Sequence, residues 1–431
     1  MRNNNFYLFL LFLFFYGGSV NAQNQTNSPY SRFGVGDLQS NILSEYAAMG
    51  GTSIGSYNPN IINPYNPASY SAFKANSFIF STGGMHQTTK MQTSNLEQIT
   101  NSSSFSHLIL GFPLTKKIGA SAGLLPFSNI GYHIKDTESH PDLGLINYSY
   151  NGDGGLSLLY VGAAYNLTEN LSVGANANYL FGGLNRNKKV IFTEGESFNK
   201  PYNTRKNSTI SAKGFFYQLG LMYNKEINEK IFFTLGFTAN NNAKIAAKQT
   251  VLTENYEILS SIYEVVKDTI EDYTISGCED CNMILPQNLG LGMSVDIDKK
   301  WLLMADFSMQ DWSAYRMFGK SDSLANSMKF SGGLQYTADN MSVNRYWKLI
   351  KFRFGGKFQN SYLQLYNTQL NEKSVSFGLG LPLRKTKSEI NLSVEIGERG
   401  TINNNLIKEQ FLRFQIGLSL SDIWFVKRKY D

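Results

Sequence analysis

Two short stretches carry the spacing of a nucleophilic serine, Gly51-Thr52-Ser53-Ile54-Gly55 and Gly119-Ala120-Ser121-Ala122-Gly123. Such a serine works where a strand turns sharply into a helix, with a histidine and an acid beside it. Neither stretch has that setting. The first lies in a segment dominated by Gly, Asn, Pro and Tyr, and the second lies inside an alternating run where small residues admit a close neighbour. The four histidines, His86, His107, His133 and His140, follow no ligand spacing of the H-E-x-x-H kind. Cys278 and Cys281 are the only cysteines. Two thiolates are too few for a structural zinc site, and in an exported loop a short disulfide is the expected state. The sequence therefore assigns no catalytic residue, no metal and no cofactor, and the chain reads as a non-enzyme.

The elements around these residues explain why. The chain opens MRNNNFYLFLLFLFFYGGSVNAQ, with Arg2, an apolar run over 6–16, and Val20-Asn21-Ala22 ahead of Gln23. A basic start, a short apolar stretch and small residues before the cut describe a cleaved export signal over 1–22. A membrane anchor is the rival, but the run is roughly half of the ~20 apolar residues a spanning helix needs. The net charge of +6 is weak and dispersed, so no nucleic-acid partner is expected. With 30 Phe, 25 Tyr, 38 Gly and 10 Pro, the composition suits strands that face lipid on one side and a polar interior on the other.

Periodicity supplies those strands. Leu412, Phe414, Ile416, Leu418 and Leu420 alternate with Arg413, Gln415, Gly417 and Ser419. The same period of two runs through Ile390 to Ile396, Val375 to Leu381, Leu171 to Phe181 and Ile350 to Phe354. A soluble sandwich alternates too, but it has no reason to sort its connections by length. Here short turns at 115–117, 167–170, 224–230, 296–300 and 384–388 alternate with long stretches at 89–102, 136–154, 186–206, 250–282, 312–326, 360–371 and 400–406. The turn at 338–347 is the exception. Short inner turns and long outer loops describe an all-β fold, a transmembrane antiparallel β-barrel of the bacterial outer membrane with about 14 strands and both termini periplasmic. The expected divisions are a signal over 1–22, a plug over 23–74, the barrel over 75–421 and a periplasmic tail over 422–431. Trp301 and Trp312 are placed to mark the two interfacial girdles, and Trp424 and Phe425 to end the last strand. Within the longest outer loop, Ile258, Ile262, Val265, Val266 and Ile270 fall near helical spacing, which predicts a short helix over 253–272.

Residues 23–74 have too many apolar and aromatic groups for a solvated linker. Their glycines and Asn-Pro pairs suit a compact plug filling a lumen too wide for side chains alone. Met49, Gly50 and Gly51, followed by Asn66, Pro67 and Ala68, resemble the hatch of the outer-membrane long-chain fatty acid transporter family, which includes importers of aromatic hydrocarbons. The resemblance implies fourteen strands, an N-terminal hatch and a lumenal site for hydrophobic ligands. It also implies an inward kink of the third strand that opens a side door, here at Leu125, Pro126, Phe127, Ser128 and Asn129. The alternative is that Pro126 only marks the upper end of that strand.

The lumen and ligand candidates are Phe216, Met222, Phe232, Met304, Arg353 and Arg413. Asp306, Lys351, Lys357 and Glu395 share the inward face with these arginines, either tying plug to wall or holding an amphiphile's head group. The expected function is passive uptake of hydrophobic or amphiphilic small molecules such as fatty acids, with the outer-membrane bilayer and a hydrophobic ligand as partners. The alternative is a non-transporting barrel that docks other outer-membrane or secretion-machine proteins on its long loops.

Overall fold

The computed structural model describes residues 26–39, 43–193, 201–259, 263–322, 324–342, 344–384 and 386–423. The expected export signal, and Trp424 and Phe425, lie outside them. Fourteen long strands form the wall: β1 (Ser77–Gln92), β2 (Glu97–Pro113), β3 (Ile118–His140), β4 (Gly144–Asn166), β5 (Leu171–Phe192), β6 (Asn203–Asn228), β7 (Ile231–Asn240), β8 (Asn288–Ile297), β9 (Trp301–Gln310), β10 (Ser327–Thr337), β11 (Lys351–Leu365), β12 (Thr368–Pro382), β13 (Glu389–Arg399) and β14 (Lys408–Ile423). Each pairs antiparallel with the next. β14 then pairs with β1 from Lys408↔Gln92 to Ile423↔Ser77, which closes the barrel.

The alternation read from sequence is the alternation of faces. Phe414, Ile416 and Leu420 are exposed on the outer surface, whereas Gln415 and Ser419 are buried on the inner one. Strand pairing satisfies most backbone groups of the wall, the condition for crossing lipid; the exception is the outer part of β2, whose pairing with β3 stops at Leu108. Among the described residues, no helix is long and apolar enough to cross a membrane.

Several outer stretches differ from expectation. Most of 136–154 and 186–206 is strand, because β3 and β4 stay paired up to His140↔Gly144 and β5 and β6 up to Val190↔Thr204. Beyond the bilayer both faces are wet, so apolar alternation fades there while backbone pairing continues. Among the described residues of 253–272 no helix forms. Ala243–Ile258 and Glu264–Ile275 make a hairpin, and its first strand extends the β6 edge from Asn203↔Tyr256 to Lys213↔Ala246. The apolar residues there are mostly β-branched, and an available edge outweighs their helical spacing. Trp301 sits outward against Tyr336 at 4.4 Å, whereas Trp312 is 1 % exposed and stacks on Tyr362 at 4.4 Å. The short 3-10 turn Trp312–Ala314 carries Trp312 inside, so it marks no girdle.

Residues 26–74 pack against the inward faces of the wall. One buried cluster joins Leu43, Tyr46, Met49, Ile62, Tyr70 and Phe73 of this segment to Ile79, Ile109, Tyr160 and Met304 of the strands. A second, nearer the mouth, joins Tyr30 and Val35 to Ile130, Leu180, Ile210, Trp312 and Tyr362.

Candidate functional site

The interior is built from close approach of plug backbone to wall backbone. Ser44–Ala47 is one helical turn, and Gly50 and Gly51 follow at φ +68° and +79°, a conformation favouring glycine. Gly51 N donates to Tyr46 O at 2.8 Å, and Gly50 N to Ser376 Oγ at 2.9 Å. A Cβ on Gly50 would lie 2.4 Å from Gly356 O, and one on Gly355 would lie 2.1 Å from the Met49 carbonyl carbon. Gly50 and Gly355 must each lack a Cβ for these contacts to exist. On another side of the lumen, Asn66 caps the 3-10 turn Pro67–Ala72 by accepting from Ala68 N at 3.2 Å, and donates to Ile54 O at 2.8 Å. The two halves of the motif thus touch different walls, Met49 to Gly51 facing β10 and β11, and Asn66 to Ala68 facing β5 and β6. Asp306 links this segment to β9, accepting from Ser53 N at 2.6 Å and Ile54 N at 2.9 Å.

The stretch Leu125 to Asn129 holds a discontinuity in the wall. β3 does not end at Pro126; it runs on to His140, paired with β4 across a register shift between Pro126 and Ser128. Its pairing with β2 stops at Leu108↔Leu124. Beyond that point the plug takes β2's place. A short strand, Asp37–Leu38, pairs with Asn129 and Ser128. Gln39 N donates to Phe127 O at 2.9 Å, Ser128 Oγ to Val35 O at 2.7 Å, and Gly131 N to Ser31 Oγ at 3.1 Å. The gap is stoppered from inside.

The lumen candidates all face inward and are already engaged. Met222 and Met304 are fully buried or nearly so, Phe216 packs in the mouth-side cluster, and Phe232 stacks on Tyr57 of the plug at 6.3 Å. Arg353, 1 % exposed, binds Glu389 at 2.6 Å, Asn391 at 2.5 Å and Gln335 at 2.8 Å. Arg413 binds Glu395 at 2.8 Å and Gln87 at 2.9 Å, and Lys357 lies 2.8 Å from both Glu372 and Glu395. These cations are met by wall carboxylates.

Sequence reasoning missed the main tie between plug and wall. Arg399, at the outer end of β13, reaches Asp37 Oδ1 at 2.5 Å, Glu409 Oε2 at 2.6 Å and Ser28 Oγ at 2.8 Å. Ser28 Oγ in turn donates to Glu409 at 2.5 Å. Tyr30 hydroxyl donates to Ile407 O at 2.6 Å, and burial pushes its phenol up to about 12, so it stays a neutral donor. Asp37 alone among the acids of 26–39 was the available signal.

Between plug and wall lies a cavity of about 280 Å³ lined by Asp37, Asp306, Lys329, Glu372 and Arg399 among others. Such a lining suits water and polar groups. Outside, Cys278 and Cys281 are bonded, with Cα atoms 4.9 Å apart, beside the outer hairpin. That hairpin exposes Leu259, Tyr263 and Ile270 at 54–69 %.

The profile of the family described as BamG matches residues 5–431. No curated protein matches the sequence. Among solved structures, the Pseudomonas putida toluene transporter TodX is similar at 17 % identity and TM-score 0.62, over 91 % of this chain and 100 % of that one. A Pseudomonas aeruginosa FadL homologue is similar at 10 % identity and TM-score 0.57, over 90 % and 100 %. The CymD monoaromatic hydrocarbon channel is similar at 14 % and 0.55, over 90 % and 99 %. These likenesses show the fold of the wall, a closed fourteen-stranded antiparallel barrel.

Proposed function

This chain belongs to the BamG family, and on that premise we propose that its barrel is an outer-membrane scaffold subunit, which docks other proteins of a secretion or assembly machine on its outer surface. The carrying observation is the filled interior. Every apolar lumen candidate packs against plug or wall, both candidate arginines are paired, and the cavity between the plug and β9 to β13 is small and carries charged groups. Exposed apolar groups instead gather on the outer hairpin, where water rather than lipid surrounds them. Apolar surface of that kind marks an interaction site.

The test is purification of tagged native protein from outer membrane in mild detergent, followed by mass spectrometry. The scaffold reading expects protein partners at fixed stoichiometry that are lost when Leu259 and Tyr263 are both changed to Asp. A lone barrel carrying a hydrophobic ligand overturns it.

A second reading is favoured by the wall discontinuity at Pro126: passive uptake of hydrophobic small molecules, released sideways once residues 26–39 leave the gap. The channels named above, whose fold it shares, support this reading. It expects hydrocarbon or fatty-acid uptake to fall when the plug is cross-linked to β3, for example in a Leu38→Cys, Ser128→Cys pair.

A further inference from the structure

We infer that the outer part of β2 and the outward face of β1 and β2 form a docking site, at the level of the outer leaflet, for a membrane-embedded β-strand of another outer-membrane protein. This rests on the scaffold reading and names where such a partner sits. Three observations meet at one place.

The first is an open edge. Above Leu108, β2 continues to Glu97 with β1 on one side and, among the described residues, no strand on the other. The plug covers the facing edge of β3, but among the described residues it gives β2 a single bond over 97–106, Asn27 Nδ2 to Asn101 O at 2.7 Å. An open sheet edge is not left facing hydrocarbon, because its N–H and C=O groups find no partner there.

The second is a polar stripe where the belt should be apolar. Thr88, His86 and Thr82 lie level with Leu412, Phe414 and Leu418 of β14, and Asn101 and Ser103 continue the polar row on β2. They already pair across the strands, His86 Nδ1 with Ser103 Oγ at 2.8 Å and Thr88 Oγ1 with Asn101 Oδ1 at 2.7 Å. Polar groups facing lipid are costly unless another protein meets them.

The third is a hollow of about 800 Å³ beside the stripe, floored by Gly84 and walled by Phe105, Phe377 and Phe414. It has room for several apolar side chains. β2 descends from outside to inside, so a partner strand pairing antiparallel must ascend. A second copy related by a two-fold along the membrane normal would present its own β2 running the same way, which argues for a different protein. Acyl chains offer no hydrogen bonds to the edge.

The experiment places a photoreactive benzoylphenylalanine at Ser103, at Leu303 on the opposite outer wall, and at Tyr263 on the hairpin. Each full-length variant is irradiated in native outer membrane and its adducts are sequenced by mass spectrometry. The expected result is a Ser103 adduct to a transmembrane strand of another outer-membrane protein, absent at Leu303. With the probe moved to Phe105, changing His86 and Ser103 to Leu, which turns the middle of the polar stripe apolar, lowers the yield at least about tenfold. Adducts only to lipid or lipopolysaccharide, to a second copy, or equally at Leu303 overturn the inference. If protein adducts persist at Tyr263 while Ser103 gives none, the scaffold stands and this site falls. If no position gives a protein adduct, both fall.

Discussion

Replacing Arg399 by Ala isolates the tie between residues 26–39 and the wall. The guanidinium touches Asp37, Glu409 and Ser28, and its removal leaves Glu409, 3 % exposed, beside Asp37 with no cation bonded to either. Breaking a buried pair by deleting one partner costs about 3–5 kcal/mol. The lower end applies here, because the Asp37 side chain is 20 % exposed and solvent screens part of the effect. About 3 kcal/mol corresponds to a roughly 150-fold rise in local opening. The assay is amide hydrogen exchange of the protein in nanodiscs, comparing residues 28–39 with β13 as an internal reference. Exchange over 28–39 should accelerate roughly a hundredfold while β13 stays protected. Arg399→Lys, which keeps the charge and loses the fork, should fall between. Unchanged exchange over 28–39, or equal acceleration throughout the barrel, would refute the idea that Arg399 is a local latch.

Gly50→Ala should prevent the plug from seating, since φ +68° alone costs about 1–2 kcal/mol for a residue with a Cβ, and Gly356 O blocks the space; heat-modifiability on gels reads the loss. Cys278→Ser with Cys281→Ser opens a four-residue loop whose closure is worth about 2 kcal/mol, so protease cuts should appear near 276–282 with barrel melting unchanged. The Lys206 ammonium that hydrogen-bonds Glu271 holds that carboxyl below its usual range. The lowered value means the bond helps the outer hairpin at neutral pH and is lost as pH falls through the folded value. Exchange over 264–275 should therefore rise on acidification below the ordinary glutamate range, and Glu271→Gln should remove that pH dependence.

The wall was legible because lipid on one side and a packed interior on the other impose a period of two on every strand, as Leu412 to Leu420 display. The plug was legible in part, since Gly50-Gly51 and Asn66-Pro67 announce sharp turns. Its ties were not. Arg399 meets Asp37 across 362 residues, and nothing local in either sequence neighbourhood marks the pair. The outer hairpin was misread for a related reason, because spacing within 253–272 carries no information about the free β6 edge that recruits it. The parity of Trp312 differs from that of Trp301, which calls for a bulge or an inward-facing ring, and the structure has the inward ring, carried by a turn beyond the strand's end.

The bond from Ser28 to Glu409 joins residues 381 positions apart, so the earlier partner must wait for the last strand to be made. Residues 26–74 precede the wall in the chain, yet surfaces they rest on, from Gly174 to Gly417, exist only once most of the wall is made. Contacts of such separation make folding slow and leave apolar segments exposed meanwhile. The wall cannot close first and be filled later without forcing Tyr46, Tyr70 and Phe73 past a narrow rim. Closure of β14 on β1 is therefore expected to be the final event, trapping a plug already gathered inside, so that assembly order is written into the distance between Ser28 and its partner.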